Sequence, residues 1–120
     1  MSNAPAHIVV AAREDDYHER YREPDKVTEE GEEMVWPVPY WFIDAGAAVM
    51  LLWLVALSEG LACGVFGMHD WEALRELLDM PDDVTPVAVL TLGKPGRETV
   101  PGSARRGWKP IEEVVRWERW

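Results

Sequence analysis

The stretch from Trp36 to Gly67, WPVPYWFIDAGAAVMLLWLVALSEGLACGVFG, constrains this chain more than any other part of it. Pro37 and Pro39 hold the approach extended, because a residue before proline is pushed out of the helical region. From Tyr40 to Ser58 only Asp44 carries a charge, and Gly60 supplies the left-handed stop that ends a helix. A helix apolar on every side has to be buried, so this segment predicts the centre of a core. Gly46, Ala47 and Ala48 thin one section, which suits a tight crossing with another helix, a partner subunit's included. The run Ala45 to Leu57 is too short to span a bilayer and is bracketed by Asp44 and Glu59, so no membrane is expected. Behind the helix, Cys63 to Phe66 reads as a short strand. The small residues from Ala62 to Gly67 let a backbone approach a flat ligand closely.

Other segments supply the partners of that helix. His7 to Ala12 is a continuous β-branched run and predicts a buried strand. Glu14 to Arg22 predicts a short surface helix with Tyr17 and Tyr21 facing inward, ended by Pro24. Pro24 to Met34 is acidic and without apolar anchors, which predicts a mobile loop. Asp70 is placed to cap a helix from Trp71 to Asp79, with Trp71, Leu74, Leu77 and Leu78 on its inner face. Val84 to Leu92 is the strongest strand, and Pro86 within it implies an edge or a bulge. Lys94 to Lys109 reads as a basic Gly/Pro-containing loop. Pro110 to Val115 reads as a helical turn leading into a tail with Trp117 and Trp120. Such large aromatics at a chain end predict a tail that packs on something. Three strands leave exposed edges, and dimerisation is the economical cover.

The net charge of −10 is uneven. Acids dominate residues 14–35, while Lys94, Arg97, Arg105, Arg106, Lys109, Arg116 and Arg119 reverse the balance later. The acidic total argues against nucleic acid. The basic portion suits a small anion such as a phosphate, with a solvated loop as the plainer alternative. The single cysteine, Cys63, excludes an internal disulfide, suits a reducing cytosol and reads as an inert buried thiol. His7, His18 and His69 show no ligand spacing, so no metal site is expected. Asp44 reads as a first-turn acid favoured by the helix dipole, with a catalytic acid as the alternative. His69 reads as a residue at a helix start, with a proton donor as the alternative. No GxGxxG, Walker loop or GxSxG elbow is present. Two features combine: the Phe66-Gly67 turn, whose N–H groups can meet a ring edge or anion, and the Arg105-Arg106 pair, suited to a phosphate.

The runs PYWFIDAGAAVMLLWLVALSEGLACGVFG, WEALRELLDMPDDVTPVAVLTLGKP and ARRGWKPIEEVVRWERW, in this order over Trp36 to Trp120, resemble the C-terminal half of the FMN-dependent nitroreductase family. HIVVAA and its charged helix fit the family's middle portion. The resemblance implies an α+β fold, with a mixed sheet, a long buried central helix and a homodimer holding FMN at the subunit interface. It implies a single domain over residues 1–120, with an acidic helix and loop at 14–35, a basic loop at 94–110 and a dimer-contacting tail at 111–120. It also implies NAD(P)H as the reductant of the flavin and a cytoplasmic enzyme. By the same resemblance, Val65, Phe66 and Gly67 lie at the flavin ring and Arg105 and Arg106 at its phosphate, while no side chain is assigned an acid–base role. The family's N-terminal helix with an Arg-Ser-x-Arg-type segment has no counterpart here. The expectation is therefore a shortened member, a non-catalytic dimerisation or binding module, or one piece of a split flavoenzyme completed by a separate N-terminal-half polypeptide.

Overall fold

A computed structural model describes residues 4–96 and 102–120, with the side chain of residue 103 excluded. Arg97, counted above among the basic residues, lies outside the described residues. The order of elements is β1 (Ala6–Arg13), α1 (Glu14–Tyr21), α2 (Tyr40–Ser58), β2 (Ala62–Phe66), α3 (Trp71–Leu78), β3 (Val84–Gly93) and α4 (Ile111–Val114). A short 3-10 turn at Gly102–Arg106 interrupts the basic loop.

The sheet has the order β1-β3-β2, and both pairings are antiparallel, so the described strands do not form the mixed sheet expected. The reason is topological. The connection through α2 brings β2 back parallel to β1, and β3 then runs between them in the opposite sense, bonding both. Pro86 sits at a register shift: Val10 faces Ala88 and Ala11 faces Pro86, so Val87 is the extra residue of a bulge. The β2 partners begin only at Val89, so beside Pro86 the central strand has no neighbour on that side.

Alternation along the strands divides the two faces. Ile8, Val10, Cys63, Val65, Ala88 and Leu90 meet Val49 and Leu52 of α2, and Leu90 is 0% exposed. The opposite face carries His7, Val9, Phe66 and Val89, over which α3 lies. Local chemistry sets the ends of the helices. Gly60 takes φ 72, and the Leu61 N–H reaches Ala56 O at 2.9 Å, closing α2 with a left-handed cap. Asp70 Oδ1 accepts from the Ala73 N–H at 3.0 Å at the start of α3. Arg75 fixes the turn from α3 into β3 by donating to Val84 O at 2.5 Å and Pro81 O at 2.8 Å.

The helix α2 is 19 residues long, longer than the apolar run counted in the sequence, and is long and apolar enough to cross a membrane by length and composition. Its role within the fold is set by a stripe of Trp41, Ala45, Val49 and Ala56, which is buried. Among the described residues the sheet covers this helix on one side only. Ile43, Met50, Leu51 and Leu54 on the remaining surface are therefore exposed rather than enclosed. The C-terminal segment behaves likewise: Trp108, Trp117 and Trp120 are almost wholly exposed in the single chain. The radius of gyration is 18.9 Å, against about 13.6 Å for a compact chain of this length, because this arm extends from the body.

Candidate functional site

Strand β2 delivers the backbone to a turn at Gly67, Met68 and His69, after which Asp70 starts α3. No backbone carbonyl among the described residues accepts from the N–H groups of those three turn residues. Phe66 and Met68 face a cavity of about 370 Å³ lined also by His7, Val9, Val89 and the α3 residues Leu74, Leu77 and Leu78. Its lining is apolar apart from His7. Unpaired N–H donors next to an apolar hollow are a combination that suits a flat, mostly apolar heteroaromatic ring.

The five residues singled out from the sequence are not all used alike. Phe66 lines the hollow. The side chain of Val65 points the other way, into the core beneath α2, so only its main chain is available to a ligand. At Gly67 an added Cβ would lie 3.8 Å from Trp71 Cζ2, an ordinary contact, so bulk alone does not demand glycine there. The tighter position is Gly64, where a Cβ would come within 2.9 Å of Thr91 Oγ1. Arg105 and Arg106 stand exposed in the 3-10 turn of the arm and have no carboxylate partner among the described residues. They do not line the cavity at Phe66. One copy of the chain therefore presents the turn and the two cations as separate features.

Cys63 faces the α2 side of the sheet, and burial pushes its thiol up, which makes it a poor nucleophile. Asp44 accepts from the Tyr17 hydroxyl at 2.5 Å, and that bond pushes the Tyr17 pKa up to about 12. Asp44 is thus tied into the contact between α1 and α2. Among the described residues no group of three or more His, Cys, Asp or Glu side chains is placed to hold a metal ion.

The sequence reading missed a polar and aromatic cluster at the acidic loop. His18 hydrogen-bonds Glu33 through Nδ1 and Glu14 through Nε2, the latter at 3.3 Å. Glu33 also accepts from Trp36 Nε1 at 2.7 Å and from Arg22 Nε at 2.8 Å. Trp36 packs against Tyr21, with ring centres 4.6 Å apart, and against Tyr17 at 6.0 Å. The two tyrosines do face inward. The loop, however, is anchored through Glu33, by charge rather than by the apolar anchors it lacks. The available signal was the Glu14–His18 spacing of four, one helical turn.

A model of the nitroreductase family matches residues 1–94. The chain belongs to the nitroreductase family. The match takes in β1, α1, α2, β2, α3 and β3, so the elements that build the turn and the hollow are those of the family. Solved structures of similar fold include a nitroreductase family protein from Clostridium difficile 630, with 22% identity and a TM-score of 0.68, covering 98% of this chain and 62% of that one. NfrA1 of B. megaterium has 23% identity and a TM-score of 0.71, covering 98% and 47%. An FMN-dependent nitroreductase from Clostridium difficile R20291 has 17% identity and a TM-score of 0.65, covering 98% and 60%. At these identities the likeness establishes the α+β fold. The chain spans 62% of the first of these structures, so it represents part of the length of such proteins.

Proposed function

We propose that this chain is an FMN-dependent oxidoreductase of nitroreductase type that uses NAD(P)H, works as a homodimer and acts in the cytoplasm. The observation that supports this reading is the turn at Gly67–His69, whose N–H groups have no backbone acceptor among the described residues and which adjoins the hollow lined by Phe66 and Met68. These residues fit a flavin: the N–H groups would donate to its ring edge, and Phe66 and Met68 would keep water from it. Arg105 and Arg106, unpaired within the described residues, would hold the phosphate as charge-assisted donors. Bound FMN would supply the capacity to take a hydride from a reduced nicotinamide and pass electrons to a second substrate. The protein's own part is then placement and exclusion of water, which fits a site without an acid–base side chain.

Dimerisation follows from the uncovered face of α2, where Ile43, Met50, Leu51 and Leu54 await a partner. It also offers the basic arm of one copy a route to the turn of the other. The test is titration of the purified protein with FMN, followed by flavin fluorescence. Binding is expected, and the double variant Arg105→Ala/Arg106→Ala should weaken it, each charge-assisted bond contributing about 1.5–3 kcal/mol. Undiminished affinity in that variant refutes the phosphate assignment. A protein that stays colourless in excess FMN refutes flavin binding by this chain on its own.

One observation favours a second reading, in which this chain is one piece of a two-chain flavoenzyme. Among the described residues the outer edge of β1 has no strand partner. Flavin binding only after addition of an N-terminal-half polypeptide of the family would select that reading. Absence of flavin binding in both experiments would leave a dimerisation module.

A further inference from the structure

His18 meets a carboxylate at each ring nitrogen: Glu33 at Nδ1 and Glu14 at Nε2. A neutral imidazole has one N–H to donate, whereas an imidazolium has two. Both contacts are hydrogen bonds only in the protonated form. In the neutral form one carboxylate faces a lone pair and is repelled. We propose that His18 is a one-proton latch: protonated, it ties α1 to itself and to the acidic loop, and on losing the proton it lets go of Glu14.

Glu14 is the partner released because the two carboxylates are held unequally. Glu33 keeps the Trp36 indole and the Arg22 guanidinium whatever His18 does, and its side chain is 16% exposed. The Glu14 carboxylate has no other hydrogen bond among the described residues, and the side chain is 58% exposed. The groups facing the imidazole from each neighbouring element are thus Glu14 on α1 and Glu33 on the loop, with Arg22 acting through Glu33. Trp36 and Trp41 add uncharged walls, with ring centres 6.3 and 6.0 Å away. Tyr17 stands by the same two indoles, and its own hydroxyl is committed to Asp44 of α2.

Loss of the Glu14 contact matters because α1 is short and weakly capped. It has eight residues, and Arg13 at its N-cap makes no capping bond through its side chain. The Glu14–His18 bond joins its first turn to its second. Hydrogen bonding to Glu33, and then to Glu14, raises the His18 pKa above its ordinary 6.5. The latch therefore contributes fully below 6.5 and is lost as pH rises through the folded-state value. On the acid side the Trp36 indole, and then His18, lowers Glu33 below its ordinary 4.5. That contribution is present above 4.5 and is lost as pH falls through the folded value.

The test is nitrogen NMR of the histidine rings in the full chain, together with amide protection factors for α1, corrected for intrinsic exchange. His18 is expected to titrate above 6.5, to keep the proton on Nδ1 and lose that on Nε2. Protection over Tyr17–Tyr21 should fall severalfold with the same midpoint. Glu14→Gln should lower the midpoint and remove the step in protection while leaving the Trp36 indole resonance in place. A midpoint at or below 6.5, loss of the Nδ1 proton first, or α1 protection flat through the titration overturns the proposal.

Discussion

The uncovered face of α2 allows a quantitative test through Leu54. Full removal of a leucine side chain from water contributes about 1.5–3 kcal/mol. Leu54 is 58% exposed in the single chain. Roughly half of that contribution, about 0.8–1.5 kcal/mol per copy, is thus still available when a second copy covers it. A two-fold interface makes each contact twice. Leu54→Ala removes most of the side chain and should weaken the dimer by about 1.5–2.5 kcal/mol. That is a roughly 10- to 60-fold rise in dissociation constant, at about 1.4 kcal/mol per factor of ten. Sedimentation velocity over a dilution series measures it, with circular dichroism to show that the helix content is kept. Val35→Ala is the control, since Val35 is 87% exposed but lies in the loop before α2. Its dissociation constant should equal that of the wild type. An unchanged constant for Leu54→Ala, an equal rise for Val35→Ala, or a wild type that never dimerises refutes the reasoning.

Leu90→Ala opens a void at the centre of β3 and should cost about 2–5 kcal/mol, read as a lower urea midpoint at an unchanged slope; a loss under about 1 kcal/mol would contradict the core assignment. Gly64→Ala forces a Cβ to 2.9 Å from Thr91 Oγ1. Overpacking of this kind costs about 1–3 kcal/mol, and a second change, Thr91→Ala, should recover part of the lost melting temperature. Tyr17→Phe deletes the bond to Asp44. The Tyr17 pKa is raised from 10.0 to about 12, so this bond contributes below pH 10.0 and is lost as pH rises through about 12. The wild type should therefore lose stability along that alkaline limb, and Tyr17→Phe should lose less over the same range; superimposable alkaline curves would dismiss the bond as a source of stability.

Local chemistry made the elements legible in the sequence. Pro39 and Gly60 bracket α2, Asp70 caps α3, and the register shift falls at Pro86, a residue without an N–H for the ladder. The spacing of Tyr17 and Tyr21 told correctly which side of α1 faces inward. Strand order was not legible, because nothing local to Val84–Gly93 says that it bonds both neighbours. The burial of α2 was only half legible. Apolarity shows that a face wants cover, and only the assembled sheet shows which stripe receives it from this chain. At the candidate site, the Phe66-Gly67 turn was readable from its small residues, yet the opposite directions of Val65 and Phe66 depend on which face α2 occupies. The clasp of Glu33 was hidden for a related reason. Its donors come from Arg22, His18 and Trp36, and a run of carboxylates gives no sign of which one will find them.

Strand β3 bonds both β1 and β2, and neither of those bonds the other. During synthesis the sheet therefore has no hydrogen-bonded pair until the last of its strands has left the ribosome, although β1 and all of α2 have long emerged. Two unpaired strands and a long apolar helix wait together, the state most open to association with a neighbouring nascent chain. The acidic stretch from Glu14 to Glu33 lies between them in the chain and emerges early. Its excess of like charge is of the kind that disfavours association of exposed apolar segments. Pairing in this sheet thus waits on its last-arriving strand, which sits at the centre rather than at an edge.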